Sequence, residues 1–175
     1  MKKNLYSLLP LLFSTLVSAH DITLDITGKI IDSTCNIALQ DQNKDVAMGD
    51  YRVQDLTVIN QETDPIAFTI ELENCGPDSD DVQITFGGTP AANSPTLLAL
   101  DASSASATQL AIRLRDKDKQ PIALNTAQEE GVIYSLSPAG QSNYSLVFYA
   151  QYVVQKTPVP TGSANATASM VLTWP

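Results

Sequence analysis

Catalytic residue types are scarce in this chain. It has one histidine, His20. A Ser-His-Asp triad would have to rest on that single ring. Two cysteines, Cys35 and Cys75, with no histidine near either, make a poor metal site. Basic residues are few as well, 10 Lys and Arg against 19 Asp and Glu, for a net charge of −9. A surface this acidic repels nucleic acid and anionic membranes. Beyond the first 19 residues, no apolar run approaches the roughly 20 needed to cross a bilayer. No segment carries the apolar stripe of a packed helix; "DASSASATQ" (101–109) reads as a small-residue loop.

The opening stretch "MKKNLYSLLPLLFSTLVSA" has a basic start at Lys2 and Lys3, an apolar run, and small residues at Val17-Ser18-Ala19. That is the pattern of a secretory signal peptide cleaved after Ala19. The remainder is 156 residues, enough for one domain with a real core. Its basic count falls to 8 against 19 acidic, a net of −11. In an exported chain, an even cysteine count reads as a disulfide between Cys35 and Cys75.

What the chain has in abundance is two-residue alternation. "PIAFTIELENC" (65–75) sets Ile66, Phe68, Ile70 and Leu72 on one face, and "DVQITFGG" (81–88) sets Val82, Ile84 and Phe86. "TQLAIRLRD" (108–116) places Leu110, Ile112 and Leu114 together, and "NYSLVFYAQYVV" (143–154) aligns Tyr144, Leu146, Phe148, Ala150 and Tyr152. "SANATASMVLTWP" (163–175) keeps Ala164, Ala166, Ala168, Met170, Leu172 and Trp174 in phase. Turn clusters separate these runs at 76–81, 87–95, 115–121, 137–143 and 156–162. Many short strands punctuated this way predict an all-β sandwich or barrel.

The carboxylate pairs (Glu129-Glu130, Asp80-Asp81, Asp116 and Asp118) lie in polar loops and read as solvated surface, not as a glycosidase acid pair. "DSDD" (78–81) and "DKDKQ" (116–120) lack the glycine and the terminal glutamate of a helix–loop–helix calcium site. Asn143-Tyr-Ser145 and Asn165-Ala-Thr167 match a glycosylation pattern but fall in or beside strands. Tyr134, Tyr144, Tyr149 and Tyr152 could form a sugar-stacking surface, although strand phase puts Tyr144 and Tyr152 in the core.

The segment "HDITLDITGKIIDSTC" (20–35) alternates strictly. Ile22, Leu24, Ile26, Gly28 and Ile30 share one face, and Asp21, Thr23, Asp25, Thr27 and Lys29 the other. No two-residue turn follows to supply a hairpin partner. On this evidence alone, the segment is an ordinary first strand of a self-complete sandwich or a strand that pairs elsewhere. Its four large apolar side chains, fully buried, would together contribute roughly 6–12 kcal/mol. A one-residue slip would turn the charged face inward.

The ordered set of motifs resembles the chaperone–usher fimbrial subunits, close to the type 1 minor pilins, over essentially the whole chain. The set comprises the leader, the alternating arm with Gly28 before Cys35, and "VAMGDY" (46–51), similar to the family's Leu-Gly turn. It continues with "AFTIELENC" (67–75), "VQITFGG" (82–88), "LAIRLRDKDKQPIAL" (110–124) and "LVFYAQYV" (146–153), which resembles the family's Phe-x-Ala-x-Tyr strand. Gly162 lies fourteenth from the end, where the family places a glycine before its last strand. Trp174 stands where the family has a penultimate tyrosine, and Pro175 ends the chain.

The resemblance implies an incomplete immunoglobulin-like β-sandwich of six strands, lacking its seventh, with a groove beside the C-terminal strand. A periplasmic fimbrial chaperone fills that groove first. At the outer-membrane usher, the arm of the next subunit replaces the chaperone strand, a form of strand addition. The expected organisation is signal peptide 1–19, donor-strand arm 20–30 and pilin domain 31–175. The donor residues are Ile22, Leu24, Ile26, Gly28 and Ile30. Met170, Leu172 and Trp174, with Pro175, form the groove and chaperone-binding strand. The implied role is a non-enzymatic structural subunit of a surface fimbria supporting cell adhesion. It reaches the surface through the periplasm and takes no cofactor, metal, nucleic acid or small-molecule substrate; its partners are neighbouring pilin subunits, chaperone and usher. The short arm, with Cys35 at position 16 of the processed chain, and only 8 glycines resemble a minor tip adaptor. The alternatives are a major shaft pilin of the same pathway and a secreted single-domain lectin-type binding protein.

Overall fold

The inward side chains of the longest strand organise the structure. A computed structural model describes residues 34–91, 94–102 and 106–175 of the chain. All of these belong to one compact unit. The expected donor-arm residues Ile22, Leu24, Ile26, Gly28 and Ile30, and the expected leader, lie outside the described residues.

Nine strand segments occur among the described residues: β1 (Asn36–Ile37), β2 (Ile66–Glu73), β3 (Asp81–Gly87), β4 (Pro90–Ala91), β5 (Ser94–Ala99), β6 (Leu110–Arg115), β7 (Val132–Ser135), β8 (Asn143–Val154) and β9 (Ser169–Thr173). They form two antiparallel sheets, one ordered β1-β2-β8-β6-β5-β4 and the other β7-β3-β9. The 12-residue β8 is the axis of the larger sheet, pairing with β2 from Ile66↔Ala150 to Glu73↔Asn143 and with β6 from Leu110↔Val154 to Arg115↔Tyr149. Tyr144, Leu146, Phe148, Ala150, Tyr152 and Val154 are all buried, as a half-buried strand's alternation requires.

Phe148, fully buried, joins the two sheets. Its ring lies 5.6 Å from Phe68 of β2, 5.2 Å from Phe86 of β3 and 5.2 Å from Tyr134 of β7. The Tyr134 hydroxyl donates to the Val147 carbonyl at 2.6 Å and accepts the Lys117 N–H at 3.0 Å, so β7 is also tied to β8 by a polar bond. Burial pushes this phenol's pKa well above its usual value. The Tyr144 hydroxyl closes the turn before β8, donating to the Pro138 carbonyl and accepting the Gln141 N–H, each at 3.0 Å.

Strand segments exceed the six expected. β4 and β5 occupy a stretch that reads as turn because of Pro90 and Pro95. Both prolines avoid the ladder interior: β4 is an edge strand, and β5 pairs with β6 only at Leu98↔Ile112 and Ala99↔Ala111. β7 is four residues long and turns Ile133 outward, 60% exposed, which hides its alternation. The expected last strand is shorter: only Ser169–Thr173 forms a ladder, and residues 164–168 run on without one.

Candidate functional site: a groove with an apolar floor beside the last strand

β9 pairs on one side only, through Gln83↔Thr173 to Gly87↔Ser169 on β3. It is therefore an edge strand among the described residues. Beside it runs a groove of about 910 Å³. Its floor is the inner face of the larger sheet, with Phe68 and Ile70 from β2, Ile112 and Leu114 from β6, and Ala150 and Tyr152 from β8. One wall is the segment from Ala164 to Met170; the other is built from Ile37 and the stretch from Asp41 to Gly49. Chain direction along the walls is opposite, because Ile37 continues the β1–β2 pairing near Leu72 while Ala164 lies against Tyr152.

The groove is where this sandwich fails to close on itself. In a complete sandwich, a strand would lie between the two walls and cover the floor; the sheet edge would not stand open. On the wall from Ala164 to Met170, the side chains at 164, 166 and 168 are all alanine and take up little of the groove, and Met170 is the partner of Phe86 across the ladder.

Asp41 holds the opposite wall in place. Its side chain is 1% exposed. One carboxylate oxygen accepts the Glu71 N–H at 2.7 Å and the other accepts Lys44 Nζ at 2.8 Å. Lys44 above all, and then the Glu71 N–H, hold the Asp41 carboxyl below its ordinary range, against the opposing effect of burial. The stretch around it, "LQDQNKD", offered no sequence signal, because the partner lies 30 residues away. Further along the same wall, Gly49 turns the chain at φ +77°, a conformation glycine adopts without strain. The disulfide Cys35–Cys75 links the start of this wall to the end of β2.

Of the residues expected on the last strand, Met170 lines the groove. Leu172 and Trp174 are half-buried and pack against the core beyond it, and Pro175 is exposed. The alanines at 164, 166 and 168 form more of the wall than Leu172 and Trp174 do.

The other candidates are not brought together. Tyr134, Tyr144 and Tyr152 are buried, and Tyr149 is on the outer face beneath Lys119 Nζ, 5.5 Å from its ring centre. Asp116 builds a turn, accepting the Asp118 and Gln120 N–H groups at 2.9 and 2.8 Å. Glu129 and Glu130 are exposed in a short 3-10 turn. Among the described residues, no three His, Cys, Asp or Glu side chains gather as a metal site.

Comparison with known proteins gives this two-sheet architecture its class, the pilins. The fimbrial protein family matches residues 24–174, and the chain belongs to that family. It is 35% identical to the fimbrial-like protein FimF of Salmonella typhimurium, across 93% of this chain and 92% of that protein. It is 32% identical to the fimbrial-like protein YcbV of Escherichia coli, across 88% of this chain and 86% of that one. Among solved structures, the P pilus rod subunit PapA superposes with a TM-score of 0.64 at 18% identity, covering 81% of this chain and 99% of PapA. A type I fimbria protein of Burkholderia pseudomallei gives 0.56 at 28% identity, covering 82% and 90%. The fold is the immunoglobulin-like sandwich of chaperone–usher pilins, and the chain is a fimbrial subunit.

Proposed function

We propose that the groove beside β9 receives an extended N-terminal strand from a neighbouring subunit, and that residues 20–30 of this chain serve the same purpose in the next groove along. The observation that carries this is the combination of an apolar floor and a one-sided edge strand. Together they offer apolar floor side chains at two-residue spacing and a strand edge with no ladder partner among the described residues, which is what strand addition uses. The alternating face Ile22, Leu24, Ile26, Gly28, Ile30 has the matching period.

Before assembly, a periplasmic chaperone covers the groove, and exchange at an outer-membrane usher replaces it with the neighbour's arm. The chain works by this pairing, without catalysis. Within the fibre we assign it to the minor tip-adaptor class, on the short arm and the low glycine count of 8. The major shaft pilin is the second reading, favoured by 28% identity to the probable major fimbrial subunit LpfA of Escherichia coli O157:H7.

The test is to challenge the chaperone-bound chain with arm peptides from the subunits encoded beside it and to follow chaperone release by native mass spectrometry. Release by one neighbour's arm, with a stable peptide adduct, supports the reading. A chain that stays a chaperone-independent monomer and takes up no arm peptide contradicts it. Copy number in purified fimbriae separates adaptor from shaft: a few per fibre against hundreds.

A further inference from the structure

Resting on that reading of the groove, we infer that Tyr152 is a positioning residue that ends the acceptor ladder at Ala166, by occupying the backbone carbonyl of Ala164. The Tyr152 hydroxyl donates to that carbonyl at 2.8 Å from the groove floor. The carbonyls on either side are held differently: Ser163 accepts the Ala107 N–H and Asn165 accepts the Asp101 N–H, both at 2.8 Å. In an extended segment, residues two apart direct their backbone groups to the same side. Ser163 and Asn165 therefore face Ala107 and Asp101, while Ala164, Ala166 and Ala168 face the groove. Of these three, Ala164 is taken by Tyr152; Ala166 and Ala168 have no backbone partner among the described residues.

Tyr152 is itself held firmly. It is 6% exposed, its ring meets Tyr51 edge-on at 5.6 Å, and its N–H and carbonyl are bonded to Thr63 Oγ1 and the Thr63 N–H, each at 3.0 Å. Burial, and then the neighbouring Tyr51 and Asp50, push its phenol's pKa up, so the hydroxyl keeps its proton and remains a donor. An incoming strand then finds backbone partners at Ala166 and Ala168 and a side-chain hydroxyl, not a free carbonyl, at the next position. A strand shifted by two residues toward Ala164 would keep its apolar face inward but lose a ladder bond. Tyr152 thus discriminates between registers that side-chain alternation alone cannot separate.

The test uses the full secreted chain with ¹³C-labelled alanine carbonyls, refolded with excess ¹⁵N-labelled peptide of the sequence of residues 20–31. Couplings across hydrogen bonds report which carbonyls accept an amide of the docked strand. In the wild-type chain, the Ala166 and Ala168 carbonyls should couple and Ala164 should not. In Tyr152→Phe, Ala164 should gain a coupling, and one further peptide amide should become slow to exchange. A mere loss of packing would not add a protected amide. An Ala164 coupling in the wild type overturns the inference, as does an unchanged pattern in a peptide-bound Tyr152→Phe chain. If Tyr152→Phe does not fold, the wild-type couplings decide. A folded chain whose groove takes up no strand in either form overturns the groove reading itself, and this inference with it.

Discussion

The carboxylate of Asp41 accepts the backbone N–H of Glu71 at 2.7 Å, across 30 residues of chain. That bond fastens an irregular wall of the groove to the β2 strand that forms its floor. With Lys44 on its second oxygen, Asp41 is both buried and paired.

Replacing Asp41 with Asn should destabilise the domain by about 1–3 kcal/mol at neutral pH, since a charge-assisted bond to Lys44 is lost. The effect should depend on pH. The folded-state pKa of Asp41 lies below its unfolded value near 3.8. Its contribution is therefore full above that value and disappears as the pH falls through the lower folded one. Acid titration of denaturant midpoints should show the wild-type advantage over Asp41→Asn shrinking below about pH 4.

The disulfide Cys35–Cys75 closes a 40-residue span that includes the whole wall. On the chain-entropy account, its removal by Cys35→Ser with Cys75→Ser should cost roughly 4 kcal/mol. Urea unfolding should show the loss, and hydrogen exchange should show it in full at core amides that open only by global unfolding, Phe148 among them.

Arm and last strand should respond differently to charge. Leu24→Asp or Ile26→Asp should leave this subunit's own melting unchanged while abolishing its addition to the preceding subunit. Leu172→Asp places a carboxylate against the core, where Leu172 is half-buried opposite Ile84, and should lower both stability and chaperone capture. Thermal melts and pull-down of the chaperone complex separate the two outcomes.

Much of the architecture was legible because burial follows alternation. The inward faces of β2, β3, β6 and β8 are the ones their sequences mark, down to Val82, Ile84 and Phe86. Where prolines interrupt the pattern, as in β4 and β5, the strands escaped notice, because a proline at an edge or outside the paired stretch is compatible with a strand that reads locally as a turn. The groove was legible in part. Met170 was visible as one of its lining residues; the long wall from Ile37 to Gly49 was not, because it is fastened by Asp41 and the disulfide across long sequence separations and not by any local repeat. Likewise, the alternation of 163–175 predicted one long strand, whereas Ser163 and Asn165 bond to Ala107 and Asp101 and only Ser169–Thr173 joins β3.

The chain has three methionines, Met1 in the expected leader and Met48 and Met170 on opposite walls of the groove. In fimbriae grown with photo-methionine, this subunit therefore carries the crosslinker only at the groove once the expected leader is removed. Irradiation followed by denaturing electrophoresis and peptide sequencing tests strand donation directly. The expected product has the mass of two subunits, with Met48 or Met170 joined to the N-terminal segment of another polypeptide. A product of single-subunit mass, with both methionines joined only to residues 20–30 of the same chain, would contradict donation between subunits.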